Sequence, residues 1–184
     1  MKVAINGFGR IGRIALRLLE NDKDLEVVAV NSRGTSEELA YLYKYDTTHR
    51  TSKSKISFDE DSMIINGKHI KVFAEDDPSV LPWKELGIDI VLECTGVFTT
   101  KEACKAHINA GAKHVLISAP AKDECKTIVY GVNEEILSLD DDIISCASCT
   151  TNCLAPVLKL INDKYKIVKG SKYRSTDQTG HSGS

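Results

Sequence analysis

Val3-Ala4-Ile5-Asn6-Gly7-Phe8-Gly9-Arg10-Ile11-Gly12 is the stretch that decides how this chain folds. Val3-Ala4-Ile5 is a short apolar run that stops at Gly7, and Ile11, Ile14, Ala15, Leu18 and Leu19 then recur at helical spacing. Gly7, Gly9 and Gly12 therefore form G-x-G-x-x-G at a strand-to-helix junction. The first glycine permits the tight turn, the second lets the backbone approach a pyrophosphate, and the third lets helix and strand pack closely. The helix N-terminus adds unpaired N–H groups and the positive end of its dipole. Glycine triplets also arise by chance in turns, but at this junction the pattern predicts dinucleotide binding. Of the two adjacent arginines, Arg13 is expected to be a solvated helix residue more than Arg10.

A second apolar run, Leu25 to Val30, follows the polar link Asn21-Asp22-Lys23-Asp24. Strand, helix and strand in so short a space make a βαβ unit, whose right-handed crossover forces the strands parallel. Dinucleotide sites of this kind place an acidic residue at the end of the second strand to take the ribose 2′-hydroxyl. Here Asn31-Ser32-Arg33 occupies that place. With no carboxylate to repel a 2′-phosphate and an arginine alongside, the cofactor is expected to be NAD or NADP, leaning to NADP. In the alternative, Asn31 alone holds the ribose and Arg33 is a loop charge.

Further along, Glu37 to Tyr45 reads as a helix with Ser36 as its N-cap. Met63-Ile64-Ile65 and His69-Ile70-Lys71-Val72 flank Asn66-Gly67, a strong hairpin signal, so an antiparallel excursion is expected between about 55 and 73. Strands are expected at Asp89 to Glu93, His114 to Ile117, Thr127 to Val132 and Ile143 to Cys146. Helices are expected at Lys101 to Ala110, closed by Gly111, and at Thr150 to Asp163. Apolar strands alternating with helices indicate an α/β fold, a doubly wound and mostly parallel sheet. The residues from 171 onward, rich in Ser, Thr and Gly, read as a linker or scar tail.

The 184 residues are 42% hydrophobic and 27% charged, an ordinary globular balance. With 24 basic and 26 acidic side chains the net charge is −2, which gives no reason to expect nucleic-acid or membrane binding. No run approaches the ~18 apolar residues of a spanning helix. The first residues do not resemble an export signal, so a cytoplasmic protein with six reduced cysteines is expected.

The chemistry concentrates in Ala147-Ser148-Cys149-Thr150-Thr151-Asn152-Cys153, which joins the end of a strand to a long helix. Cys149 thus lies at a helix N-terminus, where the dipole favours thiolate, a good carbonyl nucleophile. Cys153, one turn later, reads as a buried small side chain. A metal site on Cys146, Cys149 and Cys153 is the rival, opposed by the alternation of strand side chains and the want of a fourth ligand, so no metal is expected. A thiol redox switch is weaker still, since residues i and i+4 of one helix pair poorly. A helix-tip thiol on a dinucleotide fold suggests oxidation of an aldehyde through a thioester.

These segments, with Tyr45-Asp46, Thr95-Gly96-Val97-Phe98, Ser118-Ala119-Pro120 and Leu154-Ala155-Pro156, closely resemble glyceraldehyde-3-phosphate dehydrogenases of the phosphorylating kind. The resemblance runs from Met1 to about Gly170; erythrose-4-phosphate dehydrogenases share much of it. It implies a Rossmann-type cofactor domain at 1–149, an active-site helix opening a largely missing catalytic domain at 150–170, and the tail at 171–184. It implies that Cys149 is the nucleophile and that Ser148 and Thr150 bind phosphates of the aldehyde substrate or of inorganic phosphate. Asn6, Gly7, Phe8, Gly9, Arg10 and Ile11 would line the pyrophosphate and adenosine, and Gly12, Asn31, Ser32 and Arg33 complete that site. Thr95, Gly96 and Phe98 would border adenine and ribose, and Ser118 the nicotinamide. It also implies a glycolytic homotetramer. The sequence departs from the family at Ser32, usually acidic, and in lacking the T-T-x-H histidine that would activate the cysteine. Lys166 to Arg174, which should cover that strand, contains no histidine, and His181 is not accepted as the base. An incomplete enzyme, or a dinucleotide-binding module without activity, is therefore expected.

Overall fold

The computed structural model describes residues 1–171. Apart from Ser171, the tail assigned to 171–184 lies outside the described residues, and so does His181. The elements begin with β1 (Lys2–Asn6), α1 (Arg10–Leu19), β2 (Glu26–Asn31) and α2 (Ser36–Lys44). Then come β3 (Ile56–Phe58), β4 (Ser62–Ile65), β5 (Lys68–Phe73), α3 (Trp83–Leu86) and β6 (Ile90–Glu93). The last are α4 (Lys101–Asn109), β7 (His114–Ile117), β8 (Lys126–Thr127), β9 (Ile143–Ser145) and α5 (Cys149–Tyr165). The strands form one nine-stranded sheet in the order β3-β4-β5-β2-β1-β6-β7-β9-β8. Pairing is parallel from β5 to β8 and antiparallel among β3, β4 and β5.

Central strands are apolar on both faces because helices cover both. Val3 and Ile5 pack on one side with Leu16, Leu39, Tyr43 and Met63, while Ala4 and Ala29 pack on the other with Trp83, Val91 and Val115. This is the period-2 alternation of a strand. At the Asn66-Gly67 turn both residues have positive φ (51° and 84°), as a two-residue hairpin of matching twist requires. The antiparallel excursion is present, and it extends the sheet at one edge.

The structure corrects three expectations. Ser36 does not cap α2: Thr35 accepts from the Glu38 N–H (3.2 Å) and Glu38 accepts from the Thr35 N–H (2.8 Å), a capping box. The Ser36 hydroxyl instead donates to the Asp59 carbonyl. The strand expected over Thr127 to Val132 ends at Thr127. Asn133 turns the chain there, accepting from the Val129 N–H (2.8 Å) and donating to the Thr127 carbonyl (3.0 Å). The expected burial of Cys153 fails, because α5 carries no buried residue and Cys153 is exposed. The described part of the segment expected to cover a family strand, residues 166–171, has no regular structure. Among the described residues no helix is long and apolar enough to cross a membrane.

Candidate functional site

Because β2, β1, β6, β7 and β9 are parallel, their C-terminal ends share one sheet edge. The loops leaving those strands hold nearly every residue singled out from the sequence. A cleft of about 390 Å³ opens there. Asn6, Gly7, Phe8 and Gly9 line it from the first loop, and Asn31, Ser32 and Arg33 from the second. Glu75 and Asp76 follow β5, and Cys94, Thr95, Val97 and Phe98 follow β6. Crevices at the carboxyl ends of strands are where open α/β sheets take their ligands.

The glycine loop has the form its spacing predicts. Gly7 has φ +95°, and a Cβ there would lie 2.7 Å from the Thr95 nitrogen. Gly12 is buried beneath it, and a Cβ there would meet the Gly7 oxygen at 2.2 Å. Above Gly9 a Cβ would meet nothing within 4 Å, so the space over the loop is open. Gly9 caps α1 without a side-chain bond, whereas Thr35, Thr100 and Ser148 cap α2, α4 and α5 with hydroxyls. The first-turn N–H groups of α1 therefore remain available for an anion. These features fit the pyrophosphate of a dinucleotide. Arg10 and Ile11 are exposed in that first turn. Arg13 is not a solvated side chain: it donates to the Phe8 carbonyl (3.2 Å) and approaches Asp46 at 3.9 Å, bracing the loop.

Beneath the cleft runs a polar chain with no spacing signal in the sequence. The Trp83 indole N–H donates to His107 Nδ1 (3.0 Å), so the imidazole proton sits on Nε2, which faces Glu93 Oε2 at 3.2 Å. Asn6 Nδ2 donates to the same oxygen (2.5 Å), and Asn31 Nδ2 donates to Asn6 Oδ1 (2.7 Å). The other Glu93 oxygen accepts from the Thr95 N–H (2.8 Å) and from its hydroxyl. Glu93 and His107 are 1% and 0% exposed, yet all their polar atoms find partners, so the loops after β1, β2 and β6 are tied to one carboxylate.

The cysteine motif stands further along the same edge: β9 lies three strand spacings from β1, ~14 Å. Cys149 is exposed at the first position of α5, and its Sγ lies 4.0 Å from Thr150 Oγ1. The turn that presents it is strained, since Ala147 has φ +60°. The buried Ser145 hydroxyl holds the Ala147 N–H (3.1 Å), and Asn152 Nδ2 donates to the carbonyls of Cys146 (2.6 Å) and Ser148 (3.0 Å). The Ser148 hydroxyl accepts from the Thr151 N–H as the cap (3.0 Å), and Thr150 is half-buried beside it. Ser118, half-buried after β7, donates its N–H to the Glu93 carbonyl (2.9 Å), while Gly96 is exposed with φ +73°. No group of three or more His, Cys, Asp or Glu among the described residues is arranged to hold a metal ion.

Residues 1–101 match the family model described as "Glyceraldehyde 3-phosphate dehydrogenase, NAD binding domain". The chain belongs to the glyceraldehyde-3-phosphate dehydrogenase family. Residues 148–177 match the model of the same family's C-terminal domain. The glyceraldehyde-3-phosphate dehydrogenase of Clostridium pasteurianum is 57% identical over 169 residues, covering 92% of this chain and 51% of the relative. Those of Thermotoga maritima (53% over 171 residues) and Zymomonas mobilis subsp. mobilis (55% over 173) cover 92% of this chain and 51% of each relative. The chain spans about half the length of the curated relatives it matches.

In this member of the family the six thiols fall into two classes. Burial pushes the Cys94 thiol up to about 11 and Cys104 up to about 12, and it also raises Cys125 and Cys146. Cys149 and Cys153 are exposed. Since the thiolate is the reactive form, iodoacetamide at pH ~8 should modify Cys149 and Cys153 first and the other four only on unfolding. Peptide mapping by mass spectrometry reads this directly. Cys94 or Cys104 reacting as fast as Cys149 would contradict it.

Proposed function

We propose that the cleft binds NAD and that Cys149 is the nucleophile in oxidation of glyceraldehyde 3-phosphate to an acyl phosphate. The observation that carries this is one sheet edge holding both an uncapped glycine-loop helix and an exposed cysteine at the tip of α5. We read residues 1–149 as the cofactor unit and 150–170 as the opening of the catalytic part. Asn6 to Gly12 cradle the pyrophosphate, Asn31 to Arg33 hold the adenosine ribose, and Thr95, Gly96 and Phe98 border the adenine. Ser118 stands toward the nicotinamide, and Ser148 and Thr150 meet substrate phosphate or inorganic phosphate.

Cys149 sulfur forms a bond to the aldehyde carbon, and the carbonyl oxygen takes up a proton to give a hemithioacetal. Bound NAD supplies the hydride acceptor. Loss of hydride and of the hydroxyl proton leaves a thioester on Cys149. Inorganic phosphate then attacks that carbon, the C–S bond breaks, and the thiolate is regenerated. The unpaired N–H groups at the start of α5 stabilise the sulfur anion at the first and last steps.

Among the described residues Cys149 has no histidine within hydrogen-bond reach; its sulfur's polar neighbour is Thr150. An absent general base costs about 10²–10⁴ in rate, so turnover by these residues should fall that far below a complete relative's. Mixing the chain with aldehyde, NAD and phosphate should give slow NADH formation and a mass increase on Cys149. Cys149→Ser should abolish both. NADH formation surviving in Cys149→Ser, or no NAD binding by calorimetry, would overturn the proposal.

A further inference from the structure

We infer that Asp76, with Glu75, supplies the carboxylate selection missing after β2, so that the cleft rejects the 2′-phosphate of NADP. This rests on the proposed dinucleotide site and goes against the leaning to NADP that Ser32 and Arg33 suggest in sequence. At the expected acidic position Ser32 carries no charge, and its hydroxyl lies 3.4 Å from the Phe8 nitrogen. Arg33 would attract a 2′-phosphate if it stood alone. It does not: Asp76 Oδ1 accepts from Arg33 Nε (2.9 Å) and lies 2.9 Å from Nη2.

Asp76 is placed there by the sheet. β5 pairs with β2 so that Phe73 lies beside Asn31, and the Ser32 N–H donates to the Phe73 carbonyl (2.9 Å). Just beyond, Asn31 grips Glu75 by both backbone groups, accepting from its N–H (2.8 Å) and donating to its carbonyl (2.9 Å). Asn31 is itself 4% exposed and held by Asn6. Glu75 and Asp76 therefore line the same lip of the cleft as Arg33, two carboxylates against one guanidinium. A ribose hydroxyl can donate to a carboxylate. A phosphate monoester, carrying about −1.5 to −2 charges, meets a lip whose net charge is already negative. The Arg33–Asp76 pair is exposed, so selectivity comes from the excess carboxylate rather than from the strength of the pair.

The test is titration of the whole chain with NAD and with NADP, read by calorimetry. NAD should bind at least about tenfold tighter than NADP, the discrimination expected of a single like-charge repulsion at a surface site. Asp76→Asn should move the ratio about tenfold toward NADP, because it removes the repulsion and frees Arg33. Adding Arg33→Ala to that variant should remove the gain in NADP affinity, because the freed guanidinium is what the 2′-phosphate would meet. Equal affinities in the unaltered chain, or an unchanged ratio in Asp76→Asn, overturn the inference while NAD binding stands. Failure of the unaltered chain to bind either nucleotide overturns the dinucleotide site as well.

Discussion

Replacing Glu93 by Ala should cost about 3–5 kcal/mol, the loss expected when one partner of a buried charged network is removed. The variant leaves Asn6 Nδ2 and His107 Nε2 without their acceptor in a place water does not reach, and takes the anchor from the Thr95 N–H and hydroxyl at the cleft wall. Each of the two buried orphans is a desolvation penalty with nothing to offset it. For a chain of this size 1 kcal/mol moves the melting temperature by about 2–4 °C, so a fall of roughly 6–20 °C is expected. Glu93→Gln should lose less, because its amide oxygen can still accept from Thr95. The chain has one tryptophan, Trp83, fully buried and bonded to His107, so its fluorescence follows unfolding of this very region. A melting temperature for Glu93→Ala within about 3 °C of the unaltered chain would show that the network does not hold the loops. NAD affinity should fall with stability, since the same carboxylate fixes Asn6 and Thr95 at the cleft wall.

Gly12→Ala and Gly9→Ala should part company, and the contrast separates folding from binding. At Gly12 a Cβ would sit 2.2 Å from the Gly7 oxygen and 3.0 Å from Ile5 Cγ2, both fixed in the core beneath the loop. The start of α1 must move away, at about 1–3 kcal/mol for an overpacked site. That moves the first-turn N–H groups away from the pyrophosphate, so NAD binding should weaken together with stability. At Gly9 the backbone has an ordinary φ of −73° and a Cβ meets nothing within 4 Å. Stability should stay within about 1 kcal/mol, yet the methyl group occupies the approach of the pyrophosphate, so binding should weaken. Paired chemical denaturation and NAD titration check both variants. Gly9→Ala binding NAD as tightly as the unaltered chain would remove the pyrophosphate from that loop.

The parts of the fold legible in sequence are those fixed by local rules. G-x-G-x-x-G between an apolar run and a helical period specifies β1, α1 and the cleft floor, and Asn66-Gly67 specifies the hairpin, because both depend on backbone angles that few residues adopt. The cap of α2 is harder to read, because Thr35 and Ser36 are both good candidates and only Glu38, three residues from Thr35, decides between them. Short apolar runs mislead in the same way: Ile128-Val129-Tyr130 looks like strand, but the side chain of Asn133 closes a turn around it. The buried chain of Trp83, Glu93, His107, Asn6 and Asn31 leaves no spacing to read. Parallel pairing of β1 with β6 brings together residues up to about a hundred positions apart, and sequence distance carries none of that. The one available hint is a carboxylate ending the apolar strand Ile90-Val91-Leu92. Asp76 is hidden likewise, since the acid at the cleft lip arrives from β5 rather than from the strand that ends at Asn31.

Among the α-helices of the described residues, the one that bears Cys149 alone has no buried residue. Pro156 interrupts its ladder, and Leu160 and Tyr165 are 74% and 70% exposed. Thr150, Thr151, Leu154, Ala155 and Pro156 are half-buried, so the first two turns of α5 rest on the sheet edge more than the rest of the helix does. What aims the sulfur is the short knot of Ser145, Ala147 and Asn152 behind it. The direction of the Cys149 side chain therefore depends on that knot and not on the coil that follows it: replacing Asn152 should disturb the sulfur while the interior of the sheet stays as it is.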